Sequence, residues 1–230
     1  MALAMYLSHL VADYVLQWDG LARWKSREYT GVLVHGLIVL GVTWLFSLPF
    51  DAGWWPWALF IGSTHTAVDA IRLRLGSRFP ALMLFLLDQA VHISLITLAL
   101  MASGYVTAPS LLAWIAPLPR AERLLRFFIG LVFVTMPAWV LIEFAAYGLV
   151  CGTAPDFSRA PNKYVSSLER GLMTACVWLG QFALVPLVAL PRLALEWRQV
   201  ESSQRALVYV TELLGSAALA AAVGLALRQV

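Results

Sequence analysis

Charge is what this chain has least of. Asp, Glu, Lys and Arg make up 13% of its 230 residues, about half the share of a soluble domain, so almost no room is left for one. Cysteine is nearly absent as well. Cys151 and Cys176 lie far apart with no C-x-x-C, so neither a disulfide framework nor a thiolate zinc site is expected, and both read as small apolar helix residues. A net charge of +3 with no basic stripe and interleaved aromatics points away from nucleic acid. The G-x-S-x-G elbow, the P-loop and the dinucleotide G-x-G-x-x-G are missing, which removes the folds built on them. Histidine is scarce too: four residues are too few and too spread for the histidine-rich boxes of membrane di-iron oxidases. Met1 leads straight into A-L-A-M-Y-L without a basic n-region, so the first segment is not expected to be a cleaved signal.

What is there is apolar: 61% of residues are hydrophobic and the mean hydropathy is +0.78. At about 20 residues per crossing, seven membrane segments are predicted. The first, 2–18, is short and polar enough to be tilted, sunk into the bundle or partly re-entrant. The second is 30–48, ended by Pro49. The third, 54–75, is entered through Trp54, Trp55 and Trp57, which resemble an interfacial aromatic belt. The fourth is 80–101. The fifth, 124–150, has Pro137 as a kink. The sixth, 164–190, is bounded by Pro161 and Pro191, and the seventh, 207–227, has the Ala and Gly that favour close helix packing. Between the fourth and fifth, Pro109, Pro117 and Pro119 surround the short run 111–115, which reads as a surface loop with a half-buried helical turn.

Lys and Arg set the expected orientation. Arg23, Lys25 and Arg27 occupy the first loop, Arg72, Arg74 and Arg78 the third, and Arg159 and Lys163 the fifth. These loops are assigned to the cytoplasm, with the N-terminus outside and the C-terminus inside a bacterial inner membrane. Arg120, Arg123 and Arg126, then Arg192, Arg198 and Arg205, fall on the other side; re-entrant later segments would ease that conflict.

Within these apolar segments lie His9, His35, His65 and His92, three of them with an aspartate one helical turn away: His9-Asp13, His65-Asp69 and Asp88-His92. Residues at i and i+4 share a helix face, and chance placement of six aspartates would give roughly 0.2 such pairs. Ionisable side chains inside a membrane are costly and usually functional. At about 1.5 Å per residue, all seven groups fall at a similar depth in the cytoplasmic half, roughly 8–18 Å in. Neutral imidazole and carboxylate suit zinc, iron or manganese. Seven candidates exceed one four-coordinate zinc, so either a dinuclear site with a bridging aspartate or a single ion with second-layer aspartates fits. A proton relay or a helix-gluing polar network is the alternative. Among supporting residues, Gln17 and Asp19 line the mouth or cap an interface, and Gln89 orients a ligand or joins helices. Glu143 is a buried general-base candidate. Glu169-Arg170 forms an ion pair or anchors a lipid phosphate.

S-H-L-V-A-D-Y-V-L-Q at 8–17, V-L-V-H at 32–35, T-H-T-A-V-D at 64–69 and L-D-Q-A-V-H at 87–92 together resemble an uncharacterised bacterial integral-membrane family, domain of unknown function 3307. The resemblance continues more loosely through S-L-E-R-G-L at 167–172, L-G-Q at 179–181 and the tail from Thr211 to Leu227. V-A-L-P-R ends in Arg192 where similar sequences carry A-K-S-I-x-R, so the family's lysine is replaced here. More distantly, the set is similar to predicted metal-dependent hydrolases of the bacterial inner membrane.

The expected protein is therefore an all-α polytopic transmembrane bundle forming a single domain, 1–230, with a His/Asp metal core in 1–101 and supporting helices in 102–230. The expected function is hydrolysis of an ester, amide or phosphoester in a lipid-like or amphiphilic substrate. His9, His35, His65 and His92 with Asp13, Asp69 and Asp88 would hold one or two divalent ions, zinc first and iron or manganese next. Asp13, Asp88 and Glu143 are the candidates for base chemistry. Membrane lipids are the expected partners, with no nucleic acid. A metal-ion or proton transporter is the rival, and a non-catalytic membrane scaffold the third reading.

Overall fold

A computed structural model of the chain describes residues 1–75, 79–107, 120–155, 157, 163–196 and 203–229. Regular structure among them is helical throughout. The helix α1 (Ala2–Leu10) runs into a π-helical turn (Val11–Val15), followed by the short α2 (Asp19–Lys25), α3 (Tyr29–Ser47), a 3-10 turn (Ala52–Trp54), α4 (Trp55–Leu75) and α5 (Ala81–Ala102). Then come α6 (Arg120–Val134), α7 (Met136–Val150), α8 (Lys163–Trp178), α9 (Leu184–Glu196) and α10 (Ser203–Arg228). Pro109, Pro117 and Pro119, the run 111–115, and Arg78, Arg159, Pro161 and Arg198 lie outside the described residues.

Four stretches are long and apolar enough to cross a membrane: Tyr29–Ser47, Ala81–Ala102, Glu122–Val150 and Gln204–Arg228, while Ala2–Val15 and Leu184–Ala194 are apolar but shorter. The outward faces are lipid-like in composition. On α3, Leu33, Leu37 and Leu45 are 57%, 68% and 60% exposed, whereas His35 of the same helix is fully buried. This inverts the soluble pattern and makes the chain a polytopic helical membrane protein. At 21 residues α4 has the length of a span, but Thr64, His65, Thr66, Asp69, Arg72 and Arg74 lower its hydropathy; His65 and Asp69 are turned inward.

Three expectations change. The sixth segment is not continuous. α8 stops at Trp178 because Gly180 adopts a left-handed φ of +78°, and the amides of Gly180 and Gln181 return to the carbonyls of Val177 and Cys176. This double return is the glycine-terminated helix end, and α9 then carries Pro191 inside it rather than at its boundary. The fifth segment breaks at Thr135, two residues before Pro137, which sits in the first turn of α7, where a missing N–H costs nothing. Of the expected aromatic belt, Trp55 is 58% exposed but Trp54 only 2%. The Asp51 carboxylate accepts the Gly53 amide, which winds the 3-10 turn and rotates Trp54 into the core.

The contacts group into two compact units, residues 1–78 with 84–125, and residues 79–83 with 126–230. In the first, α3 packs against α1, α2 and α4. Gly36 is the closest point of the α3–α4 seam, where a Cβ would overlap the Thr66 hydroxyl, so the two backbones approach as small residues allow. Met5, Ala12, Val39, Trp54, Ile61, Ile96 and Leu100 form the apolar floor of this unit.

In the second unit, α10 packs on α7 and α8. Arg170 of α8 is 1% exposed and closes the break between α6 and α7. Its Nε donates to the Val134 carbonyl at 2.9 Å and Nη2 to the Thr135 carbonyl at 3.0 Å, with Ser167 and Ser216 as further acceptors. The Val134 carbonyl ends α6 and has no amide partner within it, whereas the Thr135 carbonyl, at the start of α7, also accepts the Trp139 amide at 3.1 Å. Arg170 is therefore a helix-end staple and not a lipid-phosphate anchor, and its neighbour Glu169 pairs instead with Arg192 at 3.5 Å.

Gly36→Val is expected to lower the unfolding free energy by roughly 1–3 kcal/mol through overpacking of the α3–α4 seam. Arg170→Met should cost roughly 1–3 kcal/mol by stranding the Val134 carbonyl. Both are read from denaturant unfolding of full-length protein in mixed micelles.

Candidate metal centre

All seven predicted His/Asp groups come together in the first unit. Each is 7% exposed or less. His9 leaves the end of α1 and Asp13 the π-helical turn; α3 supplies His35, α4 supplies His65 and Asp69, and α5 supplies Asp88 and His92. The π-turn departs from the regular i, i+4 helix face expected for the first pair. Its wider backbone ring, closed by the Leu16 amide on the Val11 carbonyl at 2.8 Å, holds Asp13 toward α3 and α4, leaving 3.8 Å between His9 Nδ1 and Asp13 Oδ2. Such single π-turns recur at functional positions.

The centre of the cluster is tight. His35 Nε2 lies 3.1 Å from His65 Nε2 and 3.2 Å from Asp13 Oδ1. His65 Nε2 is 3.4 Å from Asp13 Oδ1 and 3.6 Å from Asp69 Oδ2, and His35 Nε2 is 3.9 Å from Asp69 Oδ2. With metal–ligand bonds of about 2.0–2.1 Å, neighbouring ligand atoms in a tetrahedral site lie roughly 3.3 Å apart. These five separations, 3.1–3.9 Å, lie close to that spacing.

A wider view gives three overlapping triads whose ligand atoms lie within 4.8 Å of one another: His9-Asp13-His65, His35-His65-Asp69 and Asp69-Asp88-His92. His65 and Asp69 are each shared between two triads. The rings stack accordingly, with His65 and His92 centroids 3.9 Å apart and 19° from parallel. Several buried polar atoms face this cluster without a hydrogen-bond partner: both ring nitrogens of His92, Nδ1 of His9 and of His35, and Oδ1 of Asp88. A buried polar atom left unmatched is expensive; a neutral imidazole has a lone pair on one ring nitrogen only, so His92 and the Asp88 oxygen each offer one that could hold a metal ion.

Gln89 acts as the expected orienting residue. Its Nε2 donates to Asp88 Oδ2 at 3.1 Å and its Oε1 faces His9 Nε2 at 3.3 Å. Two further residues were invisible to sequence reasoning as site members. Lys25 Nζ lies 3.0 Å from Asp69 Oδ2, and Arg72 Nη1 lies 2.9 Å from Asp88 Oδ2. In the sequence both read only as cytoplasmic loop charge. Arg72 falls three residues after Asp69, which places it near the site helix face, but its actual partner is 16 residues away in the chain. Gln17 is half-buried with Oε1 unpartnered, and Asp19 opens α2. Glu143 belongs to the second unit, half-buried on α7.

A family model described as "Protein of unknown function (DUF3307)" matches residues 1–119, the stretch that holds every histidine and all three site aspartates. No curated protein and no solved structure matches the chain.

The unpartnered nitrogens separate a ligand site from polar glue. In chelator-treated protein, His92→Phe should change unfolding free energy by no more than about 1 kcal/mol, because no hydrogen bond is lost. Asp69→Leu should cost roughly 3 kcal/mol or more by leaving Lys25 without its carboxylate. Equal losses in the two variants would mark a purely structural network.

Proposed function

The chain belongs to the DUF3307 family of proteins of unknown function, and from its site we propose that it is a membrane-embedded metal-dependent hydrolase of an amphiphilic, lipid-like substrate. The observation that carries the reading is the set of overlapping His/Asp triads with unmatched buried nitrogens. Asp69, shared by two triads, would be the ligand common to two ions. His35, His65 and Asp13 would hold one with it, and Asp88 and His92 the other, with His9 supporting Asp13 and His65. Zinc is the first choice for a set of imidazoles and carboxylates, iron or manganese next. A divalent ion bound here lowers the pKa of its water and polarises a scissile carbonyl or phosphoryl oxygen. Without metal, Arg72 and Gln89 donate to Asp88 Oδ2 and Oδ1 has no hydrogen bond; in this reading Asp88 would serve as the base for the attacking water. Burial among membrane helices favours a substrate that enters from the lipid or its interface. The cytoplasmic side of a bacterial inner membrane, with the N-terminus outside, follows from the basic first and third loops.

The rival is a metal or proton transporter. The unbroken line of short contacts from Asp13 through His35 and His65 to Asp69 would also serve a relay. Retention of metal separates the two, since a transporter must release its ion.

Elemental analysis of freshly purified full-length protein is expected to find about two equivalents of zinc, iron or manganese, kept through brief exposure to chelator. Asp69→Asn should reduce this to about one or fewer. Metal-free wild type sinks both metal readings, and rapid loss to chelator favours transport.

A further inference from the structure

Lys25 and Arg72 do more than balance charge. Each grips one carboxylate of the triad Asp69-Asp88-His92, and each approaches from a segment that is basic by sequence. Lys25 ends α2 and is held over the site because α2 presses onto α3 at Gly31, where a Cβ would lie 2.6 Å from the Lys25 amide nitrogen. Arg72 is the more accessible, its side chain 39% exposed against 17% for Lys25. Three aspartates against these two cations leave the centre with one negative charge when the histidines are neutral. One divalent ion turns that to one positive charge, and two ions to three. A partly buried surplus of positive charge is costly until an anion joins it.

We infer that Lys25 and Arg72 form an anion-binding rim at the metal centre, so that the substrate is a phosphate-bearing amphiphile. This rests on the metal-dependent reading above. A metal held by Asp69 and Asp88 would compete with the two cations for these carboxylates. Their ammonium and guanidinium groups are then released toward a phosphate group, for which the planar guanidinium offers paired donors. Metal and anion therefore favour each other, and by linkage each must raise the affinity of the other by the same factor. Carboxylate-bound cations also explain how the metal-free centre tolerates three buried acids.

The test is a zinc titration against a competing chelator, on full-length protein in nanodiscs. One arm uses a phosphate-free neutral galactolipid alone, one adds inorganic phosphate, and one replaces part of the lipid with phosphatidic acid. Zinc affinity of the wild type should rise about tenfold when an anion source is present. Response to phosphatidic acid alone identifies a lipid headgroup, and response to inorganic phosphate identifies a soluble source. In Arg72→Gln, zinc should bind at least as tightly as in wild type without anion, because a competitor is gone, but the anion response should fall below about twofold. Arg72→Lys should restore most of it, and Arg27→Gln, a surface-charge control, should leave it whole. Wild type that binds zinc with no response to either anion, or an Arg72→Gln response equal to wild type, overturns the anion rim and leaves the metal reading standing. Wild type that binds no zinc in any arm overturns both.

Discussion

Three carboxylates buried among apolar helices are the constraint around which the first unit is built. An unpaired carboxylate in such surroundings is prohibitive, so each has a dedicated partner. Asp13 faces two imidazoles, Asp69 takes Lys25, and Asp88 takes Arg72 and Gln89. Meeting those demands dictates backbone detail. The π-turn aims Asp13, Gly36 lets α3 and α4 close until His35 and His65 touch, and Gly31 seats the end of α2 over Asp69. The apolar floor of Met5, Val39, Ile61 and Ile96 then keeps the layer dry.

The second unit meets the same constraint in a different way. Arg170 is as deeply buried as the histidines, yet it donates to four acceptors, the carbonyls of Val134 and Thr135 at the helix break and two hydroxyls. Arg192 lies between Glu169 and Glu212. Those groups have structural counterparts within the unit. The first unit differs in kind. His92 has neither ring nitrogen hydrogen-bonded, although it is only 2% exposed. A network selected only to hold helices together has no use for such a residue, which is why the cluster reads as a site. Lys25 and Arg72 make two of the three buried acids tolerable; in the proposed anion rim the same two cations would turn to the substrate.

Much of this was legible in the residues. Low charge and long apolar runs imply membrane helices, and the i, i+4 spacing of three His/Asp pairs implies shared faces whatever the tertiary arrangement. Depth arithmetic brought all seven groups to one layer because helix rise is nearly constant. Other features were not legible. A helix end at Gly180 depends on a left-handed φ that any glycine permits but none requires. Trp54 looked interfacial because aromatic residues at a segment mouth usually are, and only the Asp51 cap turned it inward. Lys25 and Arg72 were counted as loop charge because their partners are 44 and 16 residues away, and no local pattern encodes such a pairing.

The sequence by itself determined the helical membrane class and the identity of the seven ligand-type groups, since periodicity and polarity act locally along the chain. Only the tertiary structure decided which groups are shared, that His65 and Asp69 stand between triads, and which cations guard the acids. Those outcomes depend on the azimuth of each helix about its axis and on how closely backbones approach, quantities set by packing between segments distant in the chain.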